Sequence, residues 1–535
     1  MKKSLCIFIF AAAAGLCTIL FAIWAVDSEK GNITVTETVV EGDVAAAEGI
    51  SVEIGTHWEG QLLWNTEYQP GHVEEAASSF DFSGQKTRWD YSNPRAWNSN
   101  FTYSGEVGNW RDRTTAYVDL AVVSTDFGTA QGINAATGSR TYYDVVTEDM
   151  PWSRLLQAAK DQTAAGENRT VTLRVRDYYD CYPLEFSVFD ATGMWHNWDH
   201  WGEIATDFFK FRIPEDEQFQ IMIRKDWDGK VLELNCRSMG EGYFPVVTSA
   251  VGDTGYYFSF YLEGANKDFA DVQREFGGQY AIYWLPCAEQ SNGGSGELQV
   301  EQMKSAAQLP EDAIPVTMRL DREKRILYLL ALQKERYILL TYSVEGGELT
   351  LRQQLTVYDI ADDVNEDIDF AEGDGEDHLK FRKMTVQEDG ILLTWQDNRF
   401  AFVAGDGEEF RFWCDGVFPA AAKEDENEDL KAGMSAGSYW ASESAFPYEH
   451  AFAFDGTRLV LAAFENWGSL DSRLLVYREG QLVYSGYYQY SGELDAALGM
   501  GDRILPWGDN FSGRRRDAAV LKPLHVSIQG PTSFR

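Results

Sequence analysis

Apolar and polar residues alternate with a period of two along most of the chain, which is typical of half-buried β-strands. Turn signals such as Asp228-Gly229, Asp389-Gly390 and Asp455-Gly456 lie between these runs. The clearest runs are Thr115–Ser124, Thr170–Arg176, Phe219–Arg224, Tyr256–Leu262, Gln279–Leu285, Arg325–Leu332, Tyr337–Val344, Ile391–Gln396, Phe400–Val403, Arg458–Phe464, Arg473–Arg478 and Gln481–Tyr488. The pattern predicts an all-β fold.

Helical patterns are few. Pro151 opens the strongest one, WSRLLQAAKDQTA, and Asn266–Phe276 and Glu493–Leu498 are weaker candidates. None alternates regularly with the strands, which disfavours a parallel βαβ sheet.

A loose repeat runs through the last third of the chain. Its copies begin at Asp321, Glu388 and Asp455, 67 residues apart, and extend to Tyr358, Cys414 and Tyr484. Each copy reads as charged turn, strand, short loop, strand, turn and strand, which is the pattern of a four-stranded propeller blade. We therefore expect a β-propeller of seven or eight irregular blades; tandem β-sandwiches are the alternative.

A single long apolar segment, Ser4–Val26, lies near the N-terminus. At about 1.5 Å per residue its helix is roughly 34 Å long, enough to cross a bilayer. Lys2 and Lys3 precede it, so the positive-inside rule predicts a cytoplasmic tail at 1–3, a transmembrane signal-anchor at 4–26 and an extracytoplasmic remainder. A cleaved signal peptide is the alternative, although its core is normally shorter.

The predicted organisation is that of a single-pass plasma-membrane protein. A spacer at 27–49 precedes an extracytoplasmic propeller-like domain at 50–535. The spacer contains ITVTETVV (33–40), which reads either as linker or as a strand that pairs with something distant.

The net charge of the chain limits the classes of partner that it can bind. The 535 residues include 46 Lys and Arg against 84 Asp and Glu, for a net charge of −38. A nucleic-acid partner is therefore excluded, because phosphate contacts need a basic surface. A mean hydropathy of −0.34 excludes a polytopic membrane protein. With 44% hydrophobic residues, the chain is also too apolar to be mostly disordered.

Four cysteines follow the apolar segment: Cys181, Cys236, Cys287 and Cys414. They could form two disulfides in three connectivities, or remain thiols in a large core.

An aromatic segment, Trp195-His196-Asn197-Trp198-Asp199-His200-Trp201, is the first candidate site. Read as an exposed loop, it offers Trp195, Trp198 and Trp201 as a platform for a sugar or peptide, with a buried plug as the alternative. His196 and His200 have the i, i+4 spacing that would place both on one helical face as metal ligands.

An acidic segment at 359–377 is the second candidate site, with ten carboxylates in nineteen residues. Asp363, Asn365, Asp367 and Asp369 alternate as in an EF-hand loop, but Ile368 stands where that loop needs Gly. Loose binding of Ca²⁺ is one interpretation and a solvated insertion is the default. The acidic run at 424–429 reads as a linker.

The sequence favours a membrane-anchored, extracytoplasmic binding or scaffolding module for a protein or glycan. No nucleotide-binding loop or zinc-protease motif occurs in it. The alternative is an extracellular carbohydrate-active hydrolase with a carboxylate pair at the propeller mouth.

Overall fold

The structure is a computed structural model. It describes residues 2–58, 61–80, 117–122, 131–133, 140–142, 153–189, 195–197, 199–215, 217–238, 243–252, 254–264, 274, 277, 280–288, 297–334, 336–359, 381–387, 389–395, 399–405, 409–418, 450–464, 472–491, 520–521 and 524–528. The chain divides into two units. Unit 1 combines the two chain ends, Met1–Glu106 and Asp362–Arg535, and unit 2 is the middle, Val107–Ala361.

The described helices are α1 (Lys2–Glu29), α2 (Ser153–Asp161) and α3 (Asp199–Phe209). Helix α2 lies where the pattern after Pro151 predicts it. It buries Leu155, Leu156 and Ala159 on one face, as the spacing of an amphipathic helix requires.

Strands dominate both units. The first part of unit 1 holds β1 (Thr34–Gly42), β2 (Ile50–Trp58), β3 (Gln61–Tyr68) and β4 (Ala77–Phe80). Unit 2 holds β5 (Tyr117–Val122), β6 (Gln131–Ile133), β7 (Arg140–Tyr142), β8 (Asn168–Arg174), β9 (Leu184–Phe189), β10 (Trp195–Asn197), β11 (Gln218–Lys225), β12 (Val231–Ser238), β13 (Tyr243–Val251), β14 (Gly255–Gly264), β15 (Ala281–Ala288), β16 (Glu297–Leu298), β17 (Lys304–Gln308), β18 (Ala313–Asp321), β19 (Ile326–Gln333), β20 (Arg336–Glu345) and β21 (Glu348–Asp359). The second part of unit 1 holds β22 (Phe381–Gln387), β23 (Gly390–Trp395), β24 (Arg399–Gly405), β25 (Phe410–Val417), β26 (His450–Phe454), β27 (Arg458–Phe464), β28 (Ser472–Arg478), β29 (Gln481–Ser491), β30 (Val520–Leu521) and β31 (Leu524–Ile528).

Unit 1 is built from antiparallel sheets that join the two ends of the chain. Sheet A has the order β1-β29-β28-β27-β26, and sheet C has the order β22-β23-β24-β25. In sheet B, β30 and β31 both pair with β2, which continues to β3 and β4. Each chain end thus adds strands to a sheet made otherwise from the opposite end. The stretch at 33–40 is accordingly a strand whose partner is distant in sequence, with Thr34 opposite Ser491.

Unit 2 has the same style of sheet. Sheet D is β5-β9-β10, sheet E is β8-β11-β12, and sheet G is β18-β19-β20-β21. Sheet F runs β13-β14-β15, with β16 and β17 both paired to β15. Strands β6 and β7 form a separate hairpin. Helices α2 and α3 contribute buried residues to the hydrophobic core shared by sheets D, E and F.

Sheets that are buried on both faces distinguish blades from a two-layer sandwich. In β28, Leu474 and Val476 belong to the core shared with sheet B, and Leu475 and Tyr477 to the core shared with sheet C. Sheet F divides its side chains in the same way between sheet G and the core that holds the helices. Each sheet of a sandwich buries only its inner face.

The fold is therefore all-β and of the propeller type, as the repeat predicts. The three repeat copies correspond to the meanders that end in β21, β25 and β29. Among the residues described, seven sheets have three or more strands.

One described helix is long and apolar enough to cross a membrane, and it is the N-terminal one. The span is Ala12–Asn32. It has 21 residues and a mean hydropathy of 1.4, and none of it is buried. Its large side chains, such as Leu16, Phe21 and Trp24, are exposed on every side.

Candidate functional site

The predicted aromatic segment does not form an exposed loop. Trp195 and His196 lie on the short strand β10, which pairs with β9, and His200 lies in helix α3. The expectation that both histidines share one helical face is therefore wrong, because a strand ends and a helix begins between them. Trp198 lies outside the described residues.

Trp201 belongs to the core of unit 2. It is 5% exposed, and its ring lies edge-on to Phe186, with 6.4 Å between the centroids. Ala205 and Phe209 follow at four-residue intervals and are buried with it, so α3 turns this stripe toward the sheets. A ring in this position is a packing residue and offers no surface to a ligand.

The proposed calcium ligands Asp363, Asn365, Asp367 and Asp369 lie outside the described residues. Within the described part of the chain, His72, Glu74 and Glu75 could bring ligand atoms within 4.8 Å of one another. All three side chains are exposed, and His72 Nδ1 lies 3.9 Å from Glu74 Oε1. Exposed acidic groups of this kind occur widely without a bound ion.

A different tryptophan stands out at the surface of unit 2. Trp227 lies in the turn between β11 and β12 and is 88% exposed, more than any other large apolar side chain that the structure describes. Single exposed apolar residues are common in soluble proteins, so exposure alone does not identify a site. What sets Trp227 apart is how its ring is supported.

The six-membered ring of Trp227 rests against the backbone of Gly166. A Cβ atom placed on Gly166 would lie 2.6 Å from Cε3 and 2.7 Å from Cζ3 of the indole. Gly166 has a φ of +74°, in the left-handed region that glycine tolerates best. Glycine is thus required twice at this position, once by its φ and once by the approach of the indole.

Backbone hydrogen bonds join the two turns. The Gly166 amide donates to the Asp226 carbonyl at 2.7 Å, and the Lys225 amide donates to the Glu167 carbonyl at 2.9 Å. The side chain of Asp226 accepts from the amides of Asp228 at 3.0 Å and Lys230 at 2.7 Å, which closes the hairpin. The segment that carries the indole is therefore fixed at both ends.

Lys225 fastens the same two turns to helix α2. Its ammonium group donates to the carbonyls of Lys160 at 2.6 Å and Thr163 at 2.8 Å, at the C-terminal end of the helix. A cation here donates to carbonyls at the last turn of the helix and interacts favourably with the helix dipole. We call Gln162–Glu167 and Lys225–Lys230, with the indole of Trp227, the Trp227 platform.

A polar cluster in unit 1 fastens strand β1, which follows the apolar helix. Glu37 Oε1 accepts from the hydroxyls of Tyr484 at 2.5 Å and Tyr488 at 2.9 Å. Its Oε2 accepts from the Gly71 amide at 2.7 Å. Burial raises the pKa of both tyrosines well above the usual value, so both hydroxyls remain protonated donors. The cluster anchors β1 to the sheets and offers no open site.

Among the described residues, three cysteines are free thiols: Cys17, Cys181 and Cys414. Burial raises the pKa of Cys414 well above its usual value, and nearby Asp415 adds to the effect, so the thiol stays neutral. Cys236 lies on β12 and Cys287 on β15.

Sequence reasoning missed the Trp227 platform, although a signal is present. The stretch Lys225-Asp226-Trp227-Asp228-Gly229-Lys230 places one tryptophan inside a polar hairpin turn. As a sequence signal, the Asp228-Gly229 pair indicates only a turn between two strands. A bulky ring in a turn has no opposite sheet to pack against, and that marks it as exposed.

Comparisons with known proteins add no family. No family model matches the chain, and no curated protein matches it. A periplasmic gluconolactonase from Pseudomonas aeruginosa is similar at 14% identity, with 71% of this chain and 100% of that chain covered and a TM-score of 0.25. A Dos1 propeller is similar at 7% identity, with 68% and 80% covered and a TM-score of 0.23. A protein from Lactobacillus plantarum is similar at 12% identity, with 60% and 83% covered and a TM-score of 0.23. Likenesses this weak carry no inference about activity.

Proposed function

We propose that this chain is a membrane-anchored module whose all-β part lies outside the cytoplasm and binds a protein or glycan partner. The observation that carries the proposal is helix α1, whose large apolar side chains are exposed all round. Ile9, Phe10, Leu16, Ile19 and Leu20 each expose more than half of their surface. A helix apolar on all sides is stable in a bilayer and costly in water.

The connection between anchor and fold supports a tether. Helix α1 ends at Glu29 and β1 begins at Thr34, so only four residues separate them. Fully extended, such a link reaches about 14 Å. Glu37 then fastens β1 through Tyr484 and Tyr488. Only this short link therefore separates the sheets of unit 1 from the anchor.

The orientation follows from charge. Lys2 and Lys3 precede the apolar stretch, and the short N-terminal end with these two lysines remains in the cytoplasm under the positive-inside rule. The all-β part then lies outside the cytoplasm, where a protein or glycan partner can reach it.

Membrane extraction and protease protection test the proposal. The full chain with an N-terminal epitope tag is expected to remain in the membrane pellet after alkaline carbonate. Protease added to intact cells is expected to degrade the sheet units and spare the tag. The double variant Leu16→Arg, Ile19→Arg places two charges in the span at a cost of about 2.5–3.5 kcal/mol each and is expected to lose extraction resistance.

The matched control is the double variant Leu16→Ile, Ile19→Leu, which keeps the apolar length and should behave as the parent chain. A parent chain that carbonate releases, or sheet units that survive protease until the cells are lysed, would contradict the proposal.

A further inference from the structure

We propose that the outward face of Trp227 binds a neutral glycan by stacking on the face of a pyranose ring. The inference deepens the proposed function, because it names the partner class and the contact residue of the binding module. It rests on the support of the indole, on the hydrogen bonds that fix the platform and on the local balance of charge.

The shape of the site suits a sugar ring. The six-membered ring contacts Gly166, since a Cβ added there would lie 2.6 Å from Cε3 and 2.7 Å from Cζ3. This contact covers little of the side chain, which is 88% exposed. A pyranose has a face of C–H groups similar in width to an indole, and these groups are attracted to the negative face of the π system. A flat, exposed ring is suited to that contact and too shallow to enclose a ligand.

The platform is ordered before any ligand arrives. Asp226 closes the hairpin through two amides, Gly166 ties it to the neighbouring turn, and Lys225 ties both to α2. The ring therefore has little backbone freedom to lose on binding, which reduces the entropic cost of association. A tryptophan in a loose turn would have to be ordered first.

Local charge argues for a neutral partner. The chain as a whole carries −38, which would favour a cationic ligand. The surroundings of the indole differ, since the segments 160–169 and 224–230 hold five basic and four acidic residues. These are Lys160, Arg169, Arg224, Lys225 and Lys230, and Asp161, Glu167, Asp226 and Asp228.

This near balance gives neither an anion nor a cation a clear electrostatic advantage. It does supply hydrogen-bond acceptors and donors close to the ring, such as the exposed side chains of Asp228 and Lys230. Hydroxyl groups use both kinds of partner. A neutral polyhydroxylated ligand therefore matches the rim better than a charged peptide.

The test is calorimetric titration of the full chain in phosphatidylcholine nanodiscs, which avoid competition from the sugar headgroup of a maltoside detergent. The probes are cellopentaose, mannopentaose and chitopentaose, with pentalysine and a heparin pentasaccharide as charged comparisons. At least one neutral probe is expected to bind with a dissociation constant in the micromolar to millimolar range. Trp227→Ala is expected to weaken that binding at least tenfold, and Trp227→Phe by less.

Gly166→Ala separates ring position from ring presence. The added Cβ forces the indole to move while leaving it in the chain, and we expect binding to weaken several-fold. Phe412→Ala is the matched control, since it removes an aromatic side chain that is 40% exposed on β25. It should leave the affinity unchanged. Far-UV circular dichroism of each variant checks that the fold is retained.

Three outcomes would overturn the inference: no neutral probe binds, the Trp227→Ala chain binds as the parent does, or only a charged probe binds in a Trp227-dependent manner. Carbonate extraction of the Trp227→Ala chain is independent of all three. If anchoring fails while the sugar binds, the proposed location is wrong and the glycan contact stands. If the sugar does not bind while the chain stays anchored, the glycan contact is wrong and the proposed location stands.

Discussion

Trp201 and Trp227 lie in the same unit and have opposite surroundings. Trp201 comes from a segment crowded with aromatic residues and is 5% exposed, whereas Trp227 stands alone between two aspartates and is 88% exposed. The clustered aromatic residues at 195–201 predict a surface platform, but the helix that begins at Asp199 places Trp201 in the core. The comparison teaches that clustering along the chain favours packing, and that isolation in a polar turn favours exposure.

The largest expected effect is the loss of folding stability when Trp201 is replaced. Trp201→Ala empties a core position beside Phe186 and should lower the free energy of unfolding by about 3–5 kcal/mol. Trp227→Ala should change it by less than about 0.5 kcal/mol, because the ring is in water. Urea unfolding followed by far-UV circular dichroism measures both. Equal losses in the two variants would show that the assignment of core and surface is mistaken.

Much of the fold was accessible from the sequence, because strand periodicity and the 67-residue repeat are local signals. Strands β11, β19 and β28 lie where alternation or apolar runs predict them. The pairing of β1 with β29 could not be predicted, because nothing in a strand's own sequence identifies a partner more than 400 residues away. Helix α3 was also missed, and so was the short strand β10, because its three residues are too few to show a period.

The candidate site was less accessible. Part of the requirement for glycine at Gly166 arises from the approach of Trp227, 61 residues later, and that part is a tertiary effect. The charge balance near Lys225 is likewise invisible in a chain whose total is strongly acidic. Sequence reasoning singled out the aromatic segment at 195–201, in which Trp201 is buried, and did not single out Trp227.

A smaller effect is expected when the ammonium group of Lys225 is removed. Lys225→Met keeps the aliphatic stem and removes the charged donors to Lys160 and Thr163, at a cost of about 1–3 kcal/mol. We expect the end of α2 to exchange amide hydrogen faster and the Trp227 platform to loosen, with no change around Trp201. Hydrogen exchange with mass spectrometry resolves these regions. Lys334→Met is the control, because that ammonium is exposed and makes only a 3.8 Å ion pair with Asp312.

The smallest effect compares the hairpin of Trp227 with a similar turn in unit 1. Partial burial alone would raise the pKa of Asp455, but hydrogen bonds from Arg458 and Thr457 outweigh it and lower the pKa to about 2. Because the folded pKa lies below the unfolded one, this stabilisation is present above about pH 4 and is lost as the pH falls toward 2. Solvent screening at this half-exposed site limits it to about 1 kcal/mol.

Asp455→Asn should remove that part of the acid dependence while leaving pentasaccharide binding intact, because this turn carries no exposed ring. Thermal unfolding at pH 2, 3, 4 and 6 measures the difference between variant and parent. A difference that does not shrink as the pH falls would count against the assigned pKa.

The contrast between the two tryptophans is tested most directly by hydroxyl-radical footprinting of the full chain in nanodiscs, read by mass spectrometry with and without the bound pentasaccharide. We predict that Trp227 is oxidised at least tenfold faster than Trp201, and that the sugar slows oxidation of Trp227 and leaves Trp201 unchanged. Equal oxidation of the two rings, or a Trp227 rate that saturating sugar does not alter, would contradict the account.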